Sequence, residues 1–234
     1  MSDSVVAAAA TTTLGWRPQA FSDASFRDVD DPLIEPLWSG SRVLAHVAAG
    51  AARFVDEGGA DLAEPDIAAA LVDAVVALDA VVDGYLTADP ARTGEGIMLE
   101  SGIQAPTAAQ MTRQLLLGGN PDRDARTRAL REREREPEAA PLGDHLVFVA
   151  VDLVAIDGEP LLDVPLLERK RLLESAVVET DLVRVGIHVR PPIDPWVATW
   201  RSLGFRSAAY KAANSRYRPG ERNGAWATVV LPTR

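Results

Sequence analysis

Residues Leu146–Ile156 (LVFVAVDLVAI) carry a single charge and are closed by Asp157-Gly158. No other feature of the chain limits its fold as tightly. The run falls well short of the ~20 residues that a membrane-crossing helix needs. It is rich in β-branched side chains and ends at a turn pair, so it predicts a central strand.

The flanking segments supply partners for that strand. Residues 42–47 (RVLAHV) and 52–55 (ARFV) are short apolar runs split by Ala-Gly, a hairpin signal. Glu57-Gly58-Gly59 marks the next turn. Residues 65–79 open with Pro and an acid and place Ile67, Leu71, Val75 and Leu78 at helical spacing, which predicts an amphipathic helix. Residues 80–87 predict a strand with Asp83-Gly84 at a bulge or bend. Pro165 to about Thr180 predicts a second helix with Leu166, Leu167, Arg169, Leu172, Leu173 and Val177 inward. A strand over 182–189 follows, then a helix over 194–203 with Asp194 as N-cap and Pro195 at its first position. Residues 205–212 and 225–231 predict two more strands around the turn-rich NSRYRPGERNG. Helices and strands interleave irregularly with several hairpins, which argues for an α+β fold of largely antiparallel sheets flanked by helices.

Residues 1–13, rich in Ala and Thr, are expected to be disordered, and 14–32 to form an irregular lead-in. Residues 14–234 read as a single domain with a Gly-rich, then charged insertion at about 88–144. Within it, Thr107–Gln110 is a capping box opening a helix to about Leu117. The alternating Arg and Glu of 122–136 suit a solvated, ion-paired helix face.

Composition narrows the chemistry. The chain has no Cys, which excludes thiol nucleophiles, Cys-based zinc sites and disulfides. Its His46, His145 and His188 lie far apart, so no metal site is expected. Of 24 Lys and Arg, only Lys170 and Lys211 are lysines. Residues 1–120 carry a net −11 and residues 190–234 a net +6, so only the C-terminal part could offer phosphates a basic surface. The N-terminus lacks the basic start and apolar centre of a signal peptide, and a cytoplasmic protein without a membrane partner is expected.

A series of short motifs, in order, resembles the adenylation (nucleotidyltransferase) domain of ATP-dependent DNA ligases. Glu35-Pro36-Leu37-Trp38-Ser39-Gly40-Ser41-Arg42 is similar to the family's E-P-K-W-D-G-x-R. Val82-Asp83-Gly84-Tyr85-Leu86 is similar to L-D-G-E-L, and Val149 to Gly158 to the strand ending F-D-L-L-x-L-D-G. The run LLDVPLLERKRLLES follows at the family's place. Gly204 to Lys211 resembles G-x-E-G-V-V-A-K, and Asn214 to Trp226 resembles S-x-Y-x-P-G-x-R-x-x-x-W. The resemblance implies a ligase-type adenylation fold, with ATP and Mg²⁺ as cofactors if a nucleotide site survives. In that family a lysine attacks the α-phosphate of ATP, and AMP then passes to a DNA 5′-phosphate. The residues it places at the nucleotide are Glu35 against the adenine amine, Arg42 at a ribose or the 3′-hydroxyl side, Lys211 facing the α-phosphate, and Asp83 as a further nucleotide-binding candidate.

The departures fall on the chemistry. Leu37 holds the nucleophile position and Ser39 that of the next Asp. Glu57 stands for an arginine, Tyr85 and Arg206 for glutamates, Val151 for a phenylalanine, and Thr228 for a lysine. The chain ends a few residues after Trp226, so no oligonucleotide-binding barrel is expected in it. The leading expectation is a catalytically inactive ligase-like domain that keeps weak ATP or DNA binding or acts as an interaction scaffold for a protein partner. One alternative is an active ATP-dependent ligase or nucleotidyltransferase of DNA repair and recombination, working through another residue, with Lys211 the only lysine expected to line the cleft. A second alternative is a nucleotide-sensing binding module.

Overall fold

The computed structural model describes residues 15–87 and 146–232. The expected disorder of 1–13, the insertion at 88–144 and its helix from Thr107 lie outside the described residues, as does His145. In chain order the elements are β1 (Ala20–Ser22), a 3-10 turn (Phe26–Asp28), β2 (Pro32–Pro36), β3 (Ser41–Ala48), β4 (Ala51–Asp56) and β5 (Asp61–Leu62). Then come α1 (Pro65–Ala74), β6 (Asp79–Thr87), β7 (Val147–Ile156), β8 (Glu159–Pro160) and α2 (Leu166–Ala176). The last are β9 (Val183–Val185), α3 (Asp194–Ser202), β10 (Ser207–Ala212) and β11 (Arg222–Val230). No helix among the described residues is long and apolar enough to cross a membrane.

The strands form two sheets, one ordered β1-β11-β10-β2 and the other β5-β4-β3-β6-β7-β8, with β9 pairing β7. All pairings are antiparallel except β1 with β11 and β7 with β9. β7 has neighbours on both edges and is buried on both faces, which accounts for its unbroken apolar sequence. Phe148 and Leu153 enter a core with Ile67 and Leu71 of α1 and Leu173 of α2. Val154 joins Leu44, Val81, Tyr217 and Trp226 in a second core. The expected bulge is present: the β6–β7 register shifts between Asp83 and Gly84. A Cβ on Gly84 would stand 2.4 Å from the Phe148 ring, so the shift lets the strand pass close to its neighbour.

Both long helices end earlier than their periodicity predicts, and for the same reason. α1 stops at Ala74 rather than Asp79, and α2 at Ala176 rather than Thr180. Val75 and Val177 turn extended and pair as an isolated antiparallel bridge. Val76 N–H then donates to the Ala176 carbonyl, and Val178 N–H to the Ala74 carbonyl, each at 2.8 Å. Each segment thus satisfies an orphan carbonyl at the end of the other helix. Leu78 is left 86% exposed instead of inward. On α2 the buried positions are Leu166, Arg169, Lys170, Leu173 and Ala176, so Leu172 faces out and two cations face in.

Three smaller expectations also change. The strand over 182–189 is only Val183–Val185, the lead-in contains β1, and α3 is capped by Ile193, with Asp194 already helical. No Ile193 side chain can cap a helix, so only the proline placement of that motif survives.

Gly40, before β3, has φ +94°, and a Cβ there would stand 2.1 Å from the Leu86 carbonyl oxygen. Gly40→Ala is expected to destabilise the fold by about 3 kcal/mol, the sum of strain and overpacking. Gly224→Ala, where the space is open, is expected to stay within about 0.5 kcal/mol. Urea unfolding of the two variants checks this.

Candidate functional site

Two strands and one helix converge on the carboxylate of Glu35. Glu35 lies on β2, paired with Ala209 of β10, and Lys211 lies two residues further along β10 on the same face. Lys211 Nζ donates to Glu35 Oε2 at 2.9 Å. Lys170, from α2, places its Nζ 2.5 Å from Glu35 Oε1 and also donates to the Val151 carbonyl of β7. Both lysines of the chain therefore sit on one buried carboxylate. Burial alone would raise the Glu35 carboxyl, but the charges of Lys170 and Lys211 overcome this and hold it at about 2. Burial pushes the Lys211 ammonium down, against the opposing pull of Glu35. His188, half-buried nearby, is held below its ordinary value by burial and by Lys170.

A second cluster gathers on Asp83. Arg42 of β3 donates from Nε and Nη2 to the two Asp83 oxygens at 3.0 and 2.6 Å, a bidentate pair. Its Nη1 donates to the Gln19 carbonyl. Tyr217 donates its hydroxyl to Asp83 Oδ2 at 2.8 Å and accepts from Gln19 N–H at 3.1 Å. Burial lowers the Arg42 guanidinium, but Asp83 more than offsets this and holds it well above its ordinary value. Trp226 joins the clusters: the Arg42 guanidinium lies 5.5 Å and Lys211 Nζ 4.6 Å from its ring centre. Phe21 covers the same guanidinium at 5.0 Å.

A third buried pair, Arg169 to Asp152 at 2.9 and 2.7 Å, reaches the Ser215 carbonyl as well. Ser215 in turn accepts from Trp226 Nε1.

The four residues that sequence points to thus fall into two groups, Glu35 with Lys211 and Arg42 with Asp83, each ion-paired within the protein. Lys211 is not the only lysine here, because Lys170 reaches the same carboxylate from α2. Sequence reasoning does not single out Lys170, Tyr217 or Gln19 as site residues. The scarcity of lysine is a signal for the first; a tyrosine that reads as framework and a glutamine before β1 give none.

Of the substituted positions, Tyr85 and Glu57 adjoin Arg42 and Val151 meets Lys170. Leu37 follows β2, half-buried, with its N–H on the Ser207 carbonyl. Tyr85 lies opposite Arg42 and is buried, which pushes its phenol well above its ordinary value. Val151 is buried, while Ser39, Arg206 and Thr228 are exposed. Glu57 brings an exposed carboxylate within 3.8 Å of Arg42 Nη1.

Comparison with known proteins agrees on the fold. No family model matches the chain. It is 24% identical over 200 residues to curated DNA ligases of Pyrobaculum arsenaticum and Pyrobaculum islandicum, covering 83% of this chain and 30% of each ligase. The ligase domain of M. tuberculosis LigD superposes with a TM-score of 0.59 at 22% identity, over 93% of this chain and 60% of that one. A mycobacterial DNA ligase D complexed with ATP and MES gives 0.58 at 21%, over 92% and 60%. Chlorella virus DNA ligase-adenylate gives 0.53 at 12%, over 92% and 67%. The chain has the fold of the adenylation domain of ATP-dependent DNA ligases and spans about 30% of the length of the curated relatives it matches.

Glu35→Gln leaves two buried ammonium groups without their counter-charge and is expected to cost about 3–5 kcal/mol. Lys211→Met is expected to cost less, because Glu35 keeps Lys170. Chemical denaturation of both variants checks the order.

Stability is expected to fall in two stages on acidification. Burial and Arg53 hold His46 at about 4, so the unfolded chain, titrating near 6.5, takes up that proton first and stability fades from pH 6.5 to 4. The stability from ionised Glu35 is present above about 4.5 and is lost as pH falls toward 2. His46→Gln should reduce the first stage, to which His188 also contributes, and leave the second unchanged, read from melting temperature against pH.

Proposed function

We propose that this chain is a ligase-type adenylation domain that forms no lysyl-adenylate and serves as an interaction scaffold, with nucleotide or DNA binding weak where it occurs. The observation that carries this reading is the internal ion pairing of Glu35, Arg42, Asp83 and Lys211 beside a leucine at the nucleophile position. Covalent adenylylation needs an amine lone pair to attack the α-phosphorus while the bond to pyrophosphate breaks. Leu37 has no such lone pair. Both lysines are buried, with each Nζ against Glu35, so neither is poised to replace it.

The residues present also do not suit Mg²⁺. A magnesium ion bridging phosphates takes hard oxygen ligands. Asp83 is engaged by Arg42 and Tyr217, and the family's glutamate positions hold Tyr85 and Arg206. Among the described residues no three His, Asp or Glu converge as a metal-holding group.

The purified chain, incubated with α-labelled ATP and Mg²⁺ and run on a denaturing gel, is expected to show no labelled band. A band that survives denaturation would overturn the reading. Leu37→Lys with Ser39→Asp is expected to restore little labelling, because Glu57, Tyr85, Arg206 and Thr228 remain. Thermal denaturation with millimolar ATP should give a small shift or none, where saturation at 100 times Kd would add about 2.7 kcal/mol.

A further inference from the structure

The bridge that ends α1 and α2 also exposes apolar surface. Val76 is 65% exposed, Leu78 86% and Val178 56%. Val75 opposes Val177, and both are buried. Side chains alternate along an extended segment, so Val76 and Val178 emerge together on the opposite, outward side. Leu78 follows two residues after Val76, just before β6 begins at Asp79. Two of the three exposed aliphatic side chains flank the bridge directly and the third follows two residues later in the chain.

The chain on either side of the bridge is predominantly acidic. Residues 64–79 hold Glu64, Asp66, Asp73 and Asp79 with no Lys or Arg, and residues 172–183, between Arg171 and Arg184, hold Glu174, Glu179 and Asp181. The bridge joins the segment carrying Asp73 and Asp79 to the segment carrying Glu174, Glu179 and Asp181. Asp73, Glu174, Glu179 and Asp181 are exposed. Glu179 accepts from Val185 N–H, which leaves its charge in place. Arg171, just before the second segment, is already paired with Glu168 at 2.6 Å.

We infer that Val76, Leu78 and Val178 form a docking surface for a basic, amphipathic segment of a partner protein, whose apolar residues cover the three side chains while its Arg or Lys meet the acidic rim. Apolar burial supplies the contact energy, and the rim supplies selection by charge. The rim disfavours a nucleic acid or an anionic membrane, each of which would bring like charge. It equally disfavours a symmetric pair of copies, which would set acid against acid. The surface is separate from the Arg42–Asp83 cluster: Asp79 and Asp83 lie four residues apart on β6, about 13 Å along the strand.

The test uses the full chain and a synthetic 20-residue helical peptide with Leu on one face and Arg on the other. Fluorescence anisotropy reads affinity, and amide NMR shifts locate the site. Micromolar binding is expected, with shifts centred on Val76, Leu78 and Val178 and affinity falling as salt rises. Leu78→Asp with Val178→Asp, both exposed and so expected to leave the melting temperature nearly unchanged, should weaken binding at least tenfold. A peptide with Glu for Arg, and one with Ser for Leu, should each bind at least tenfold more weakly than the parent. Shifts located elsewhere, an unaffected double variant, or equal binding by the Ser peptide would each overturn the proposal. So would a concentration-dependent dimer in sedimentation that the double variant abolishes, which would make the surface a self-contact. Docking of the chain's own residues 88–145, seen as release of those amides by the peptide, would overturn it in favour of an internal occupant. No outcome depends on ATP labelling, so this inference can fail while the proposed function stands.

Discussion

The carboxylate of Glu35, held between Lys170 and Lys211, is the contact on which the arrangement of this protein depends. It is contributed by β2, one lysine by β10 and the other by α2, which itself packs on β7. The four-stranded sheet and the helix layer over the other sheet are thus tied through one buried carboxylate. Such a group is costly to desolvate, and only close opposite charge keeps it ionised. The same logic repeats at Asp83 with Arg42 and Tyr217, and at Asp152 with Arg169. In each case a strand carboxylate meets a cation from another element of the fold.

Such seams favour one arrangement more than they add net stability. Replacing a buried ion pair with apolar side chains is often neutral or stabilising, whereas removing one partner is severe. Arg42 and Lys211 also lie against the Trp226 ring, which fixes how far the side chains can move. Under the proposed reading this explains how a domain of this fold can dispense with a nucleotide between its sheets. The cations that would meet phosphate have carboxylates of the protein as partners. The substituted positions Leu37, Tyr85 and Val151 add no competing charge.

Much of the fold was legible from local pattern. The run at 147–156 is a strand with neighbours on both edges, next to the end of its sheet rather than at its centre, and β-branched residues covered on both faces leave no alternation to read. The hairpin at Ala49-Gly50 and the bulge at Asp83-Gly84 were written in turn chemistry, where glycine marks the backbone demand directly. The helix ends were not legible. Val75 and Val177 continue a helical spacing, and only their meeting, 102 positions apart in the chain, makes an extended bridge the better place for them. The inward face of α2 was hidden for a related reason. Leu172 fits the apolar spacing as well as its neighbours do, and Lys170 looks like a solvent position until Glu35 arrives to pair with it.

The sequence by itself determined the secondary structure near its turns and the α+β class. It also determined the composition of the motif positions, above all a leucine where an amine would be needed and only two lysines anywhere. Those are properties of single residues and of neighbours in the chain, and no folding can change them. Tertiary structure alone decided what the surviving charged residues do. Glu35, Arg42, Asp83 and Lys211 could each have faced a ligand, water or one another. Burial removed water, distance selected the partners, and the long-range pairing of β2 with β10 and β3 with β6 set which charges came within 3 Å.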